Sequence, residues 1–308
     1  MRTVFFGSPV EAMPALSAVL ASGHKVAAVY TQPDRPAGRS VAPVPTPVKV
    51  GAEQAGIPVR TPKTLRDPAT QAELNAYGAD AFVVVAYGRL LPPEVLSIPR
   101  LGVLNVHPSL LPEYRGPSPV QQAILDGAPE TGVTVMLLDE GMDTGPVLSQ
   151  RSVRLQGDET APALMARLFE EGAQLLVETL DRHSRGNIKP QPQEGARATV
   201  TKLLSREDGE IGWAMPAAHI ARMVRAYGPW PGTHTRWRGQ VLKVLEVRAV
   251  AEHAGEPGAV SVRGGGLYVA TGEGALRVLS LQLEGRKAAT GEEFARGHPQ
   301  AAGSRVPS

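Results

Sequence analysis

Residues Ala81–Ala86 read AFVVVA, a continuous apolar run with no polar residue on either alternate position. Such a run is the mark of an interior strand in a parallel sheet, where helices cover both faces and each side chain is buried. Thr3–Phe6 is a shorter run of the same kind that stops at Gly7-Ser8-Pro9, and Lys25–Tyr30 (KVAAVY) is another. Between them Met13, Leu16, Val19 and Leu20 recur at helical spacing, and Gly23 closes the helix. Helices are expected near Val48–Ala55, Ala69–Tyr77 and Pro119–Leu125, and strands at Gly102–Val106, Thr131–Leu138 and Gly145–Val153. Thr160–Leu180 then repeats Leu164, Leu168, Leu175 and Leu176 on one stripe. Strand and helix alternate, which predicts a doubly wound α/β domain on a parallel sheet.

The pattern changes after residue 185. Arg185–Thr199 (RGNIKPQPQEGARAT) is rich in Pro, Gly and Gln, has no periodicity and reads as a linker. A helix near Ala214–Ala226 follows, and then short alternating segments at Thr233–Trp237, Val241–Val250, Ala259–Val262, Leu267–Ala270 and Leu276–Leu283. Short strands at near-regular spacing predict a smaller β-barrel, OB-like in kind. The expected boundaries are a first domain over 1–188, a linker over 189–204 and a second domain over 205–308.

Composition narrows the function classes. The chain has 308 residues, 42% hydrophobic and 20% charged, so it has ample material for two cores. It has no Cys, which removes disulfides, thiolate metal sites and a cysteine nucleophile. Its apolar runs are too short to span a bilayer, and a cytoplasmic location is expected. Residues 1–204 carry a net charge of −1 and residues 205–308 a net charge of +3, so a polyanionic partner is permitted at the C-terminal part. The first strand-to-helix turn, Gly7-Ser8-Pro9, lacks the three glycines of a dinucleotide site, and neither G-x-x-x-x-G-K-[ST] nor G-x-S-x-G occurs. The seven His are scattered singly, without metal-ligand spacing, so no metal is expected.

Two segments carry chemistry. In Gly102–Pro119 (GVLNVHPSLLPEYRGPSP) a buried strand ends in Asn105 and His107, which share a face because residues i and i+2 point the same way. The carboxyl ends of such strands are where ligands bind. Asn offers a neutral donor and His a base that titrates near neutral pH, a pair suited to acyl transfer. In Thr131–Pro146 (TGVTVMLLDEGMDTGP) the glycines around Asp143 place a carboxylate on a tight, exposed turn. The residues alone leave open that Asn105 and His107 are structural, and that Asp143 stabilises its own loop as an Asx-turn.

The string Asn105-Val106-His107-Pro108-Ser109-Leu110-Leu111-Pro112, with Asp143 in a Gly-flanked turn 31 residues beyond Pro112, resembles the signature of folate-dependent formyltransferases. The resemblance implies a Rossmann-like sheet bearing Asn105, His107 and Asp143 as the catalytic trio. It implies 10-formyltetrahydrofolate as formyl donor, held by Ala86, Tyr87, Gly88 and Leu90 on one side and by Ser109, Leu110, Leu111 and Pro112 on the other. Thr31–Arg39 (TQPDRPAGR) and Ala226–Gly232 (AYGPWPG) are similar to members whose acceptor is initiator methionyl-tRNA. That implies tRNA contacts at Arg35, Arg39, Arg222 and Arg225, and no obligate protein partner. In the C-terminal part Arg236, Arg238 and Lys243 are further candidates for phosphate contacts, and Trp230 and Trp237 for base stacking or for the core. Two positions depart from the pattern, Pro108 where many such members carry Gly and Gly212 where Asp is common, and neither belongs to the trio. Purine-pathway members of the family end where the linker begins, and sugar-nucleotide members lack the PDRPAGR loop.

Overall fold

The computed structural model describes residues 1–36, 42–252 and 255–308. In chain order the elements of its first part are β1 (Arg2–Gly7), α1 (Met13–Ala21), β2 (Lys25–Tyr30), β3 (Arg35–Pro36), β4 (Pro43–Val44), α2 (Pro47–Gln54), β5 (Val59–Arg60), α3 (Pro68–Ala76), β6 (Ala81–Val85), α4 (Pro93–Leu96), β7 (Val103–His107), α5 (Pro119–Asp126), β8 (Glu130–Leu137), β9 (Val147–Arg154) and α6 (Ala161–Ser184). There follow α7 (Ala217–Tyr227), β10 (Thr233–Trp237), β11 (Gln240–Val250), β12 (Val260–Arg263), β13 (Gly266–Ala270), β14 (Ala275–Leu283), β15 (Ala289–Thr290) and α8 (Gly291–Gly297). They form two compact units. One comprises Met1–Pro119, Glu130–Arg154 and Leu164–Thr201, and the other Val120–Pro129, Leu155–Ala163 and Lys202–Ser308.

The first unit holds a seven-stranded sheet in the order β5-β2-β1-β6-β7-β8-β9. Its apolar strands are buried on both faces, and the two faces feed different cores. Phe5, Val29, Val83, Leu104 and Val106 pack with α1, α2 and α6 residues such as Leu16, Ala52 and Leu176. The alternate residues Phe6, Tyr30, Phe82, Val84 and Val103 pack with Leu74 of α3 and Val95 of α4. This two-sided burial is why Ala81–Val85 shows no polar alternation.

The sheet is not parallel throughout. Strands β5, β2, β1, β6 and β7 run parallel, but β8 is antiparallel to β7 and β9 is antiparallel to β8. An antiparallel return needs only the connection over 138–146, whereas a parallel one needs a crossover. The expected all-parallel sheet is therefore corrected to a mixed, Rossmann-like sheet. The chain leaves β1 toward β2 and β5, then returns to the other side of β1 as β6 and β7, so the order reverses between β1 and β6. There Ser8 Oγ donates to the Tyr87 carbonyl (3.2 Å), and Gln32 Nε2 donates to the same oxygen (3.1 Å). The Gly7-Ser8-Pro9 turn thus ties two strand exits together.

In the second unit β10-β11-β14-β13-β12 form an antiparallel sheet, with β15 paired to β14. The expected short strands are found within one or two residues of their predicted ends. Ile211, Trp213, Ile220, Trp237, Leu276 and Phe294 are central to its core. Trp237 is 3% exposed and meets Phe294 edge-on with ring centroids 5.2 Å apart, whereas Trp230 is 61% exposed. The core reading thus holds for Trp237. Among the described residues no helix is long and apolar enough to cross a membrane.

Candidate active site

Strand β7 lies between β6 and β8, with Asn105 opposite Val84 and Met136, and His107 opposite Thr134. Asn105 and His107 share their face with Val103, which belongs to the core on that side. Among the described residues nothing hydrogen-bonds the Asn105 amide.

His107 is buried and held at one nitrogen, with a carboxylate facing the other. Nε2 lies 2.9 Å from the carbonyl oxygen of Tyr114. A carbonyl only accepts, so Nε2 carries the proton and Nδ1 is left facing the other way. There the Asp143 carboxylate stands, with Oδ2 at 3.7 Å from Nδ1. That separation is longer than a hydrogen bond. The same Oδ2 accepts the Gly116 N–H at 2.8 Å.

Both partners of His107 sit on left-handed backbone, Tyr114 with φ 58° and Asp143 with φ 55°. Residues with side chains reach this region at a cost of about 1–2 kcal/mol, least for Asp and Asn. Such backbone concentrates where a fixed geometry is needed. The glycines beside Asp143 have distinct uses. A Cβ on Gly145 would overlap the Leu137 carbonyl, so the loop packs directly on the end of β8. The Asx-turn considered for Asp143 belongs instead to Asp139, whose Oδ1 accepts the Gly141 N–H (3.0 Å) and the Thr144 hydroxyl (2.7 Å). Asp143 is left for His107.

The HPSLLP loop is fixed by two residues that the sequence did not single out. Thr134 Oγ1 donates to the Ser109 carbonyl (2.7 Å) and accepts from the Leu111 N–H (3.1 Å). Gln150 Nε2 donates to Thr134 Oγ1 (2.9 Å) and to the Leu111 carbonyl (2.7 Å). Ser109 is fully buried with its hydroxyl donated to the Glu113 carbonyl (2.6 Å), Leu111 is buried, and Leu110 and Pro112 are half-buried. Of the loop after β6, Ala86 (φ 47°) and Gly88 (φ 77°) are left-handed, Tyr87 points into the core against Phe6, and Leu90 is 86% exposed. Burial pushes the Tyr87 phenol up. The Tyr87 ring is therefore not available to a ligand, and its carbonyl is already held by Ser8 and Gln32.

The segment read as a linker is bound to these loops over its second half. Gln191 and Val147 exchange N–H to carbonyl bonds at 2.8 Å, and Gln193 donates to the carbonyls of Asp143 (2.8 Å) and Gly145 (2.7 Å). Thr199 Oγ1 accepts the Tyr114 N–H (2.7 Å), and Thr201 Oγ1 donates to the Arg115 carbonyl (2.9 Å). Nothing in a Pro/Gln-rich stretch without periodicity signals such partners, because all are distant in sequence.

The arginines divide by environment. Arg35 is exposed on β3, and Arg39 lies outside the described residues. In the second unit Arg222 Nε donates to the Leu125 carbonyl (2.7 Å) and Arg225 Nη1 to the Glu159 carbonyl (2.8 Å). Arg225 is half-buried, and burial holds its guanidinium below the usual arginine range. Among the described residues no group of three His, Asp or Glu could hold a metal ion.

The sequence matches the formyl transferase family over residues 1–180 and the formyl transferase C-terminal domain over residues 203–299. It is 51% identical over 309 residues to the methionyl-tRNA formyltransferase of Roseiflexus sp. (strain RS-1), covering 99% of this chain and 95% of the relative. Its fold is similar to that of HypX from Aquifex aeolicus in complex with tetrahydrofolic acid, with TM-score 0.66 and 19% identity over 98% of this chain and 47% of that longer one. It is similar also to an N-formyltransferase from Helicobacter canadensis in complex with folinic acid and dTDP-3-aminofucose, with TM-score 0.66 and 16% identity over 93% of this chain and 99% of that one. A mixed α/β sheet, a second antiparallel unit, the two formyl transferase matches and half-identity over nearly the full length together place this chain in the formyl transferase family, among the methionyl-tRNA formyltransferases.

Proposed function

We propose that the protein moves the formyl group of 10-formyltetrahydrofolate to the α-amine of methionine carried by initiator tRNA, in the cytoplasm and without an obligate protein partner. The observation that carries this reading is the contact between His107 Nδ1 and Asp143 Oδ2 beside an unengaged Asn105 amide on the same strand face. The donor supplies a formyl carbonyl on a nitrogen that can leave. Asn105 donates a hydrogen bond to the formyl oxygen as negative charge develops there, an interaction worth on the order of 100- to 1000-fold in rate. His107, with its Nε2–H held by the Tyr114 carbonyl, has Nδ1 left to relay a proton toward the leaving nitrogen. Asp143, facing Nδ1, takes up the proton of the attacking amine, directly or through water.

The donor's ring system is assigned to Ala86, Tyr87, Gly88 and Leu90 on one side and Ser109, Leu110, Leu111 and Pro112 on the other. Support comes from the left-handed backbone at Ala86 and Gly88 and the uncovered Leu90 side chain. The tRNA is assigned to Arg35 and Arg39 in the Thr31–Pro45 loop and to Arg222 and Arg225 on α7. We keep 1–188, 189–204 and 205–308 as functional divisions, the last an OB-like barrel that binds tRNA backbone. Formylation of charged initiator tRNA, assayed beside glycinamide ribonucleotide and a nucleotide-linked amino sugar, tests the reading. Turnover confined to the tRNA supports it, and turnover of either small amine in its place overturns it.

A further inference from the structure

Gln193 joins the two loops that hold His107 and Asp143. Its Nε2 donates to the carbonyls of Asp143 (2.8 Å) and Gly145 (2.7 Å), and its Oε1 accepts from Arg115 Nε (3.0 Å) and Nη2 (2.8 Å). A side-chain amide has two donor hydrogens and two acceptor lone pairs, and here all four are used. The amide's orientation follows from its partners, since carbonyls only accept and a guanidinium only donates. At one end the bond is to the backbone of Asp143 itself, in its left-handed conformation. At the other end it holds Arg115, the residue before Gly116, whose N–H fixes the Asp143 carboxylate.

Gln193 thus touches both ends of the arrangement that aims Asp143 at His107, yet neither His107 nor the Asn105 face. We propose that Gln193 is a positioning residue for Asp143: it clamps the Asp143 turn to the Arg115–Gly116 loop so that the carboxylate is held toward His107 before substrate binds. This rests on the formyl-transfer reading above. A structural tie with no catalytic consequence is the competing account. It differs in one respect, because the effect of a positioning residue must pass through Asp143.

Gln193→Glu is the variant of choice. It keeps an acceptor for Arg115 but turns the two N–H donors into lone pairs facing the carbonyls of Asp143 and Gly145. We expect kcat with charged initiator tRNA to fall about ten- to hundredfold, as for small misplacements of reacting groups. KM for both substrates should stay within about threefold. In the Asp143→Asn background, read by single turnover with enzyme in excess, the same change should cost less than about threefold more, because coupled residues are not additive. Independently of any substrate, hydrogen exchange at the Gly116 amide should accelerate at least about tenfold while the amides of β6 keep their protection. An unchanged kcat, an equal loss in both backgrounds or an unchanged Gly116 exchange rate each overturns the proposal. Wild-type enzyme inactive on charged tRNA would overturn the functional reading instead, and the exchange measurement would still decide the role of Gln193.

Discussion

Asp143 Oδ2 stands 3.7 Å from His107 Nδ1 and is at the same time held by the Gly116 N–H at 2.8 Å. The carboxylate is thus anchored without His107, and the imidazole is anchored without Asp143 through the Tyr114 carbonyl. Removing one leaves the other in place. Single substitutions at this site therefore report on chemistry more than on collapse.

His107→Ala and Asp143→Ala are each expected to lower kcat by about 100- to 1000-fold, the range seen when one group stabilising transition-state charge is lost. The dissociation constant for the formyl donor should stay within about tenfold, because that charge is absent from the ground state. Asn105→Ala should lose as much in total, divided between rate and placement of the donor. Steady-state kinetics with a direct titration of the donor separate the two quantities. A variant that retains a tenth or more of wild-type turnover takes its residue out of the mechanism.

Asp143→Asn separates charge from backbone conformation. Asn tolerates a φ of 55° nearly as well as Asp and keeps an oxygen for the Gly116 N–H, so the melting temperature should stay within about 2 °C of wild type. Asp143→Ala has neither advantage and should cost about 1–2 kcal/mol. Both should lose turnover alike. Calorimetry beside kinetics checks this, and a large loss of stability in Asp143→Asn would show that the carboxylate is structural.

The two tryptophans of the second unit predict opposite outcomes. Trp237, at 3% exposure against Phe294, should cost about 3–5 kcal/mol as Trp237→Ala. Trp230, at 61% exposure, should change stability by less than about 0.5 kcal/mol. Chemical denaturation of both variants reads this directly.

For the arginines, Arg35→Ala and Arg39→Ala should leave folding and donor binding unchanged. Each should lower the salt slope of tRNA use by about one unit per lost phosphate contact. Arg225→Ala should lower the salt slope likewise and in addition cost about 1–3 kcal/mol of stability, because it removes a half-buried charged donor to the Glu159 carbonyl. Rates across a salt series, set beside melting curves, sort the three. Unchanged kinetics in both loop variants would mean that the Thr31–Pro45 loop is only a solvated connection.

Much of this protein could be read along the chain. The run Ala81–Val85 had to be an interior strand, since burial on both faces leaves no room for polar alternation. Asn105 and His107 had to share a face because a strand repeats every two residues, and the glycines around Asp143 announced a tight turn. These properties are local, carried by neighbours in sequence. What the tertiary structure decided lies in pairings across tens of residues. Periodicity describes which faces of β8 and β9 are buried but not the direction in which they pair, so their antiparallel return was invisible. Composition marked residues 185–199 as a linker, yet the Gln193 side chain spends its whole hydrogen-bonding capacity on loops some 50 and 78 residues away. The same separation gave the Asp143 carboxylate to the Gly116 N–H rather than to its own turn, and put the Tyr87 ring in the core against Phe6. A side chain's chemistry is set by its own atoms, but its partner is set by whatever the folded chain brings within about 3 Å of it.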